Sequence, residues 1–178
     1  MADQFTPQDP RSQYPPPSQQ TGHEQPHPGT ESRMGPKPDH GEDTYRGCGR
    51  LTDRKAVLTG GDSGIGRAVA IAFAREGADV LLSYLPEEEA DAQETAELVR
   101  QAGRQAELVP GDIRDEQHCD RIAARAVEVF GRIDILVNNA AYQMAQDEGL
   151  LDISTEQFDR VLKTNLYAMF WLCKAAIP

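Results

Sequence analysis

From Leu51 onward, short apolar runs alternate with stretches in which apolar residues recur every three or four positions. The first run is Lys55–Thr59, KAVLT. After a cluster of glycines, Ile65, Val69, Ala72 and Phe73 fall at i, i+4, i+7 and i+8, the spacing of one helix face. Gly77 closes that helix as a glycine just past the last turn does. A second run covers Asp79–Ser83, and Pro86 with Glu87, Glu88 and Glu89 then opens a helix. Proline suits the first helical turn, and carboxylates suit the positive end of the helix dipole. Gly103 closes this helix and Gln105–Val109 is the third run. Ile122, Ala126, Val129 and Phe130 stripe a third helix that ends near Gly131, and Ile133–Val137 is the fourth run. Ser154 and Gln157 form a capping box for a last helix that runs to about Ala176. The predicted order is β-α-β-α-β-α-β-α. Strands so short and so continuously apolar are covered on both faces, and right-handed crossovers then make the sheet parallel. The fold class is α/β, a doubly wound parallel sheet. Four strands fall short of a full sheet of this kind, so residues 51–178 read as its N-terminal part, incomplete at the C-terminal side.

Residues 1–50 lack this periodicity. They hold nine of the twelve prolines, with Gln, Gly and Ser filling much of the remainder. Such a segment buries too little apolar surface to offset its ordering entropy, so this arm is expected to be disordered or to lie extended along something else. His23, His27 and His40 fall within it, but no scaffold positions them, and no metal site is assigned.

The net charge of −11 argues against partners that need clustered Lys and Arg, namely nucleic acid or an anionic membrane surface. No apolar stretch approaches the ~18–20 residues of a membrane helix. The start of the chain, MADQFTPQDP, lacks the basic and apolar regions of a secretory signal. The three cysteines, Cys48, Cys119 and Cys173, are widely spaced and odd in number, which speaks against a disulfide framework. These features lead to the expectation of a reducing, cytoplasmic location.

The segment Thr59 to Gly66, TGGDSGIG, joins the first strand to the first helix. Glycines there let the backbone turn tightly and approach a pyrophosphate, and the helix N-terminus offers unpaired N–H groups and partial positive charge. Gly66 also permits close packing of helix on sheet. The bland alternative is an ordinary tight turn. A P-loop would require a following Gly-Lys-Ser/Thr, which is absent. This placement at the first strand–helix junction makes a Rossmann dinucleotide site the reading of the loop.

The pattern Thr-Gly-x-x-x-Gly-x-Gly resembles the cofactor loop of the short-chain dehydrogenase/reductase family. Gly111-Asp112-Ile113 after strand three and Asn138-Asn139-Ala140-Ala141 after strand four match further family motifs in the same order, although Ala141 stands where the family usually has glycine. The arm and the segment 41–51, GEDTYRGCGRL, resemble a bacterial subgroup related to glucose and ribitol dehydrogenases and general-stress oxidoreductases. The resemblance implies an NAD(P)-dependent alcohol dehydrogenase or carbonyl reductase. It also implies cofactor contacts from Gly60, Asp62, Ser63, Gly64, Ile65 and Gly66 in the loop, Tyr84 after strand two, Asp112 and Ile113, and Asn138 and Ala140.

The place at the end of strand two that often carries a ribose-binding acid holds Ser83-Tyr84-Leu85. An uncharged site would not repel a 2′-phosphate, and Arg67 either helps to neutralise one or lies at the surface. Asp62 works in the opposite direction. NADP is the expected cofactor, with NAD the alternative. A methyltransferase of the same topology would want an acid after strand two and a different glycine spacing.

Asn165 interrupts an apolar face of the last helix formed by Phe158, Val161, Leu162, Met169 and Leu172. It either bonds neighbouring backbone or, as the resemblance implies, is the catalytic-set asparagine that supports a water in a proton relay. The family's catalytic Ser and Tyr-x-x-x-Lys have no counterpart in these 178 residues: Tyr84 is followed four residues later by Glu88, Tyr142 by Gln146 and Tyr167 by Trp171. A truncated chain, inactive alone, is therefore expected. A pseudogene product and a non-catalytic dinucleotide-binding or interaction protein are the alternatives. For a complete homologue the resemblance implies a small carbonyl or alcohol substrate and a homo-oligomer.

Overall fold

The computed structural model describes Asp9, Arg11, Gln25, residues 27–144 and residues 149–178. His23 and Gln146 lie outside the described residues. The elements are β1 (Lys55–Thr59), α1 (Gly64–Arg75), β2 (Asp79–Tyr84), α2 (Glu89–Gln101), β3 (Ala106–Pro110), α3 (Glu116–Phe130), β4 (Ile135–Val137), α4 (Thr155–Leu162) and α5 (Ala168–Ala176). All four strands are parallel, in the order β3-β2-β1-β4. The register pairs Lys55 with Asp79 and Ala56 with Ile135. The chain order therefore reverses between β1 and its two neighbours, and the strand ends on either side of that reversal open a crevice.

Alternate residues of the central strands feed two cores. Ala56, Leu58, Val80 and Leu82 pack with Ala70 and Ala74 of α1 and Ala96 and Val99 of α2. Val57 and Leu81 face the other way, onto Cys119, Ile122 and Ala126 of α3 and Ala168 and Leu172 of α5. Burial on both faces is why β1 and β2 carry continuous apolar sequence. Ile65 departs from the expected core stripe: it is 77% exposed, because the first turn of α1 projects beyond the sheet. The buried side of α1 is instead Gly66, Arg67, Ala70, Ile71 and Ala74.

The last helix is interrupted. Ser154 and Gln157 make the reciprocal capping box, but a π turn at Lys163–Tyr167 separates α4 from α5. A π turn inserts a residue and rotates everything that follows. The stripe from Phe158 to Leu172 is thereby split: Ala168 and Leu172 are buried, whereas Phe158, Met169 and Phe170 are exposed. No helix among the described residues is long and apolar enough to cross a membrane.

Residues 27–50 lie against α1 and α2. Arg75 donates to the Gly41 carbonyl at 2.9 Å, and the Leu51 N–H donates to the Glu76 carbonyl at 2.9 Å. The Glu76 carboxylate accepts from Tyr45 Oη at 2.5 Å, from the N–H groups of Cys48 and Arg50 at 3.0 and 2.9 Å, and from Arg50 Nε at 3.2 Å. A carboxylate at the C-terminal end of a helix opposes the dipole. These donors outweigh that opposition and hold its pKa at about 2, below the ordinary 4.5, with the Tyr45 hydroxyl as the largest cause. A depressed carboxylate pKa contributes stability that is present above the unfolded value and lost as pH falls toward the folded one. Melting temperature should therefore fall as pH drops from about 4.5 to about 2. Glu76→Gln should lower the melting temperature at pH 7 and flatten that acid slope. An unchanged slope in the variant, read by circular dichroism, would remove this role.

Candidate functional site

The turn after β1 is held from both sides. Gly60 has φ +61°, and Gly66 lies so close beneath it that an added Cβ would fall 1.7 Å from the Gly60 carbonyl oxygen. The helix thus starts against the strand end, with its N-terminus aimed at the crevice. Asn139 fixes the other side: its Nδ2 donates to the carbonyls of Thr59 and Gly60 at 3.1 and 2.9 Å. Thr59 Oγ1 in turn accepts from the N–H groups of Asn139 and Ala140, both at 3.1 Å. The first and fourth strand ends are stitched into one surface.

Above this surface lies a cleft of about 580 Å³. Of the residues expected at the cofactor, Gly60, Asp62, Ser63, Ile65, Tyr84, Asp112, Ile113 and Ala140 line it. Gly66 sits beneath it as packing. Gly64 forms the first turn of α1 at φ +52°, where a Cβ would meet nothing within 4 Å, and its N–H donates to Glu31 Oε2 at 3.3 Å. Asn138 points elsewhere: it does not line the cleft, and its Nδ2 faces Cys173 Sγ at 3.7 Å. Successive residues leaving a strand point to opposite sides, and it is Asn139 that faces the loop.

The cleft is more acidic than the strand-two sequence suggests. Ser83-Tyr84-Leu85 carries no acid, but the turn at Pro86 folds Glu87 and Glu88 back onto the same wall, near Asp62. Burial, and then the Asp62 charge, push Glu88 up to about 7. Burial also raises Asp62. Tyr84 is raised by burial and by its hydrogen bond to Glu89 Oε2 at 2.6 Å. At the far wall, burial would raise Asp112, but Arg114 outweighs it through bonds of 3.0 and 2.8 Å, and the acid is held below its ordinary value. Ser83 Oγ is buried in the lining without a hydrogen-bond partner. A buried orphan hydroxyl in a cleft calls for a polar ligand atom or a water.

Asn165 lies in the π turn beside the cleft. Its Oδ1 accepts from the Tyr142 N–H at 2.8 Å and its Nδ2 donates to the Tyr142 carbonyl at 2.9 Å. Tyr142, Thr164 and Arg160 line the same side, with the Arg160 guanidinium 4.0 Å above the Tyr142 ring. His27 and Pro28 of the arm also line the cleft, and nothing in the sequence pattern signals them.

Arg67 does not reach the cleft. It is fully buried: Nε donates to the Asp62 carbonyl at 3.0 Å and to Thr95 Oγ1 at 2.8 Å, Nη1 to Glu31 at 3.1 Å, and Nη2 to the Asp91 carbonyl at 3.0 Å. It holds the loop from behind and is unavailable to a 2′-phosphate.

A parallel sheet flanked by helices, with a glycine turn and a helix N-terminus at the reversal of strand order, defines the Rossmann class of dinucleotide folds. Within it, residues 60–178 match the family model described as enoyl-(acyl carrier protein) reductase. The chain belongs to the short-chain dehydrogenase/reductase family. It is 50% identical over 154 residues to the uncharacterized oxidoreductase YghA of Escherichia coli, covering 86% of this chain and 52% of YghA. General stress protein 39 of Bacillus subtilis is 45% identical over 150 residues, covering 84% of this chain and 52% of that protein. A short chain dehydrogenase from Burkholderia cenocepacia, solved in complex with NADP, superposes with a TM-score of 0.68 at 35% identity, covering 71% of this chain and 51% of that one. The chain thus spans about half the length of the relatives it matches.

If Arg67 supports the loop from behind, Arg67→Met should lower the melting temperature and weaken NAD and NADP binding by the same factor. A guanidinium on the 2′-phosphate would instead make the loss specific to NADP. Removing one member of a buried charge network destabilises by about 3–5 kcal/mol. Calorimetry with both dinucleotides separates the two cases.

Proposed function

We propose that this chain binds a nicotinamide dinucleotide, NADP or NAD, and that the whole protein is an oxidoreductase that interconverts a small carbonyl compound and its alcohol. The observation that carries the reading is the N-terminus of α1, where Ser63 and Ile65 line a cleft at the strand-order reversal. The residues fit such a group. Ser63 and Ile65 line the cleft at the positive end of α1, which suits a diphosphate. Ser83 offers an unpartnered hydroxyl where β2 ends. Asp112 and Ile113 form the opposite wall for a flat ring. The NADP bound to the Burkholderia relative supports the assignment.

When bound, the nicotinamide supplies the hydride chemistry. The protein's part within these residues is to hold and orient it. Asn165 acts by position: it pins the Tyr142 backbone beside the cleft, and an amide that makes those two bonds retains one N–H and one lone pair for a water. These 178 residues contain no Tyr-x-x-x-Lys. We assign them the dinucleotide-holding share of the activity, and assign no proton donor among them.

Calorimetric titration of the chain with NADP and NAD tests the reading, with measurable heat expected from at least one. No heat from either would overturn it. Glu88 sharpens the test. Its pKa of about 7 leaves it mostly neutral at pH 6 and mostly charged at pH 8. A charged Glu88 repels a 2′-phosphate, so the preference for NADP over NAD should fall about fivefold across that interval, the effect of ~1 kcal/mol of repulsion. Glu88→Gln should reduce the pH dependence of the ratio to the share that comes from the 2′-phosphate's own titration. A ratio that stays flat in the parent chain would show that Glu88 does not face the ribose.

A further inference from the structure

Residues 27–31 of the arm cross the cleft. At one end Glu31 is 3% exposed. Its backbone N–H donates to Asp91 Oδ2 at 2.8 Å, its Oε1 lies 3.1 Å from Arg67 Nη1 and 3.2 Å from His40 Nε2, and its Oε2 accepts from the Gly64 N–H at 3.3 Å. This anchor lies on the α1–α2 side of the sheet. At the other end the His27 ring meets the Tyr142 ring edge-on, with centroids 5.1 Å apart. His27 Nδ1 accepts from Arg160 Nη2 at 3.1 Å, on the α4 side. Pro28 lies between and lines the cleft with His27. The segment therefore bridges the two banks of the strand-order reversal.

It walls the cleft without filling it. About 580 Å³ remains with His27 and Pro28 in place. The Glu31 side chain, the one acid of the strap near the start of α1, is turned onto Arg67, His40 and the Gly64 N–H and is absent from the lining. The two ends also differ in strength. The Glu31 anchor is buried and multiply bonded, whereas His27 is exposed and held by two edge contacts. A strap fixed at one end and lightly held at the other can open at the His27 end while Glu31 stays in place.

We infer that residues 27–31 form a strap that closes over the bound dinucleotide and slows its release. The inference rests on the cofactor reading above and adds to it a binding element drawn from the arm. By reciprocity, a strap that retains the ligand is itself held closed by the ligand.

Two measurements on the full chain test this. NADPH release, followed by stopped-flow fluorescence, should be about five- to tenfold faster in the double variant His27→Ala/Pro28→Gly, which removes the His27 contacts to Tyr142 and Arg160. His27 is at the surface and Pro28 is half-buried, so the variant should keep its melting temperature. Backbone hydrogen exchange at residues 27–31 should slow when NADPH is added. Unchanged release, or exchange that accelerates with NADPH as for a displaced plug, would overturn the strap while leaving the cofactor reading intact. Absence of NADPH binding by the unmodified chain would overturn both.

Discussion

One buried guanidinium organises the site. Arg67 is 0% exposed, and the chain satisfies it in three separate places: the glycine loop through the Asp62 carbonyl, α2 through Thr95 and the Asp91 carbonyl, and the arm through Glu31. An ion without water has to be surrounded by acceptors, because leaving one donor open in a low dielectric costs about 1–3 kcal/mol or more. The same requirement acts on the partners. The Asp62 carbonyl accepts from Arg67 Nε and, at 2.7 Å, from Thr95 Oγ1, so the back of the loop is saturated. Its front, where Ser63 and Ile65 line the cleft, is what remains to meet a ligand. The loop therefore has a fixed shape before anything binds, and the ordering entropy belongs to folding rather than to binding.

The electrostatics of the cleft follow from burial acting differently on its two walls. At the β2 wall, burial raises both Asp62 and Glu88, and the Asp62 charge raises Glu88 further. At the β3 wall, Arg114 grips Asp112 and keeps it ionised despite burial. Glu88, near the end of β2, is held at about 7, so its charge changes around neutral pH.

Much of this was legible in the sequence, for a definable reason. Strand and helix periods repeat every two and 3.6 residues, so β1 is found to the residue and the loop at 59–66 is placed at its end. The capping box at Ser154 is equally local. What failed depended on direction or on distance along the chain. Asn138 and Asn139 are indistinguishable as letters, but only one turns toward the loop. Ile65 looked like core because periodicity cannot tell where the sheet beneath a helix stops. The acids at Glu87 and Glu88 were overlooked because they reach the β2 wall through a turn rather than along the strand. Sequence pattern leaves Arg67 as a surface or phosphate-contacting residue, because its partner Glu31 lies 36 residues away in a segment without pattern.

That segment shows why a proline-rich, unpatterned arm can still have a defined place. Periodicity reports the burial of apolar side chains, and residues 27–50 are held mostly by other means: Glu31 on Arg67, the Gly41 carbonyl on Arg75, and Tyr45, Cys48 and Arg50 on Glu76. Each anchor matches a polar group of the arm to a polar group on or beside α1. Arg67 and Glu76 sit near opposite ends of α1, so the arm and the helix satisfy each other along its length. Because Arg67 holds the glycine loop with one edge of its guanidinium and the arm with another, the loop and the segment over the cleft share a rigid element.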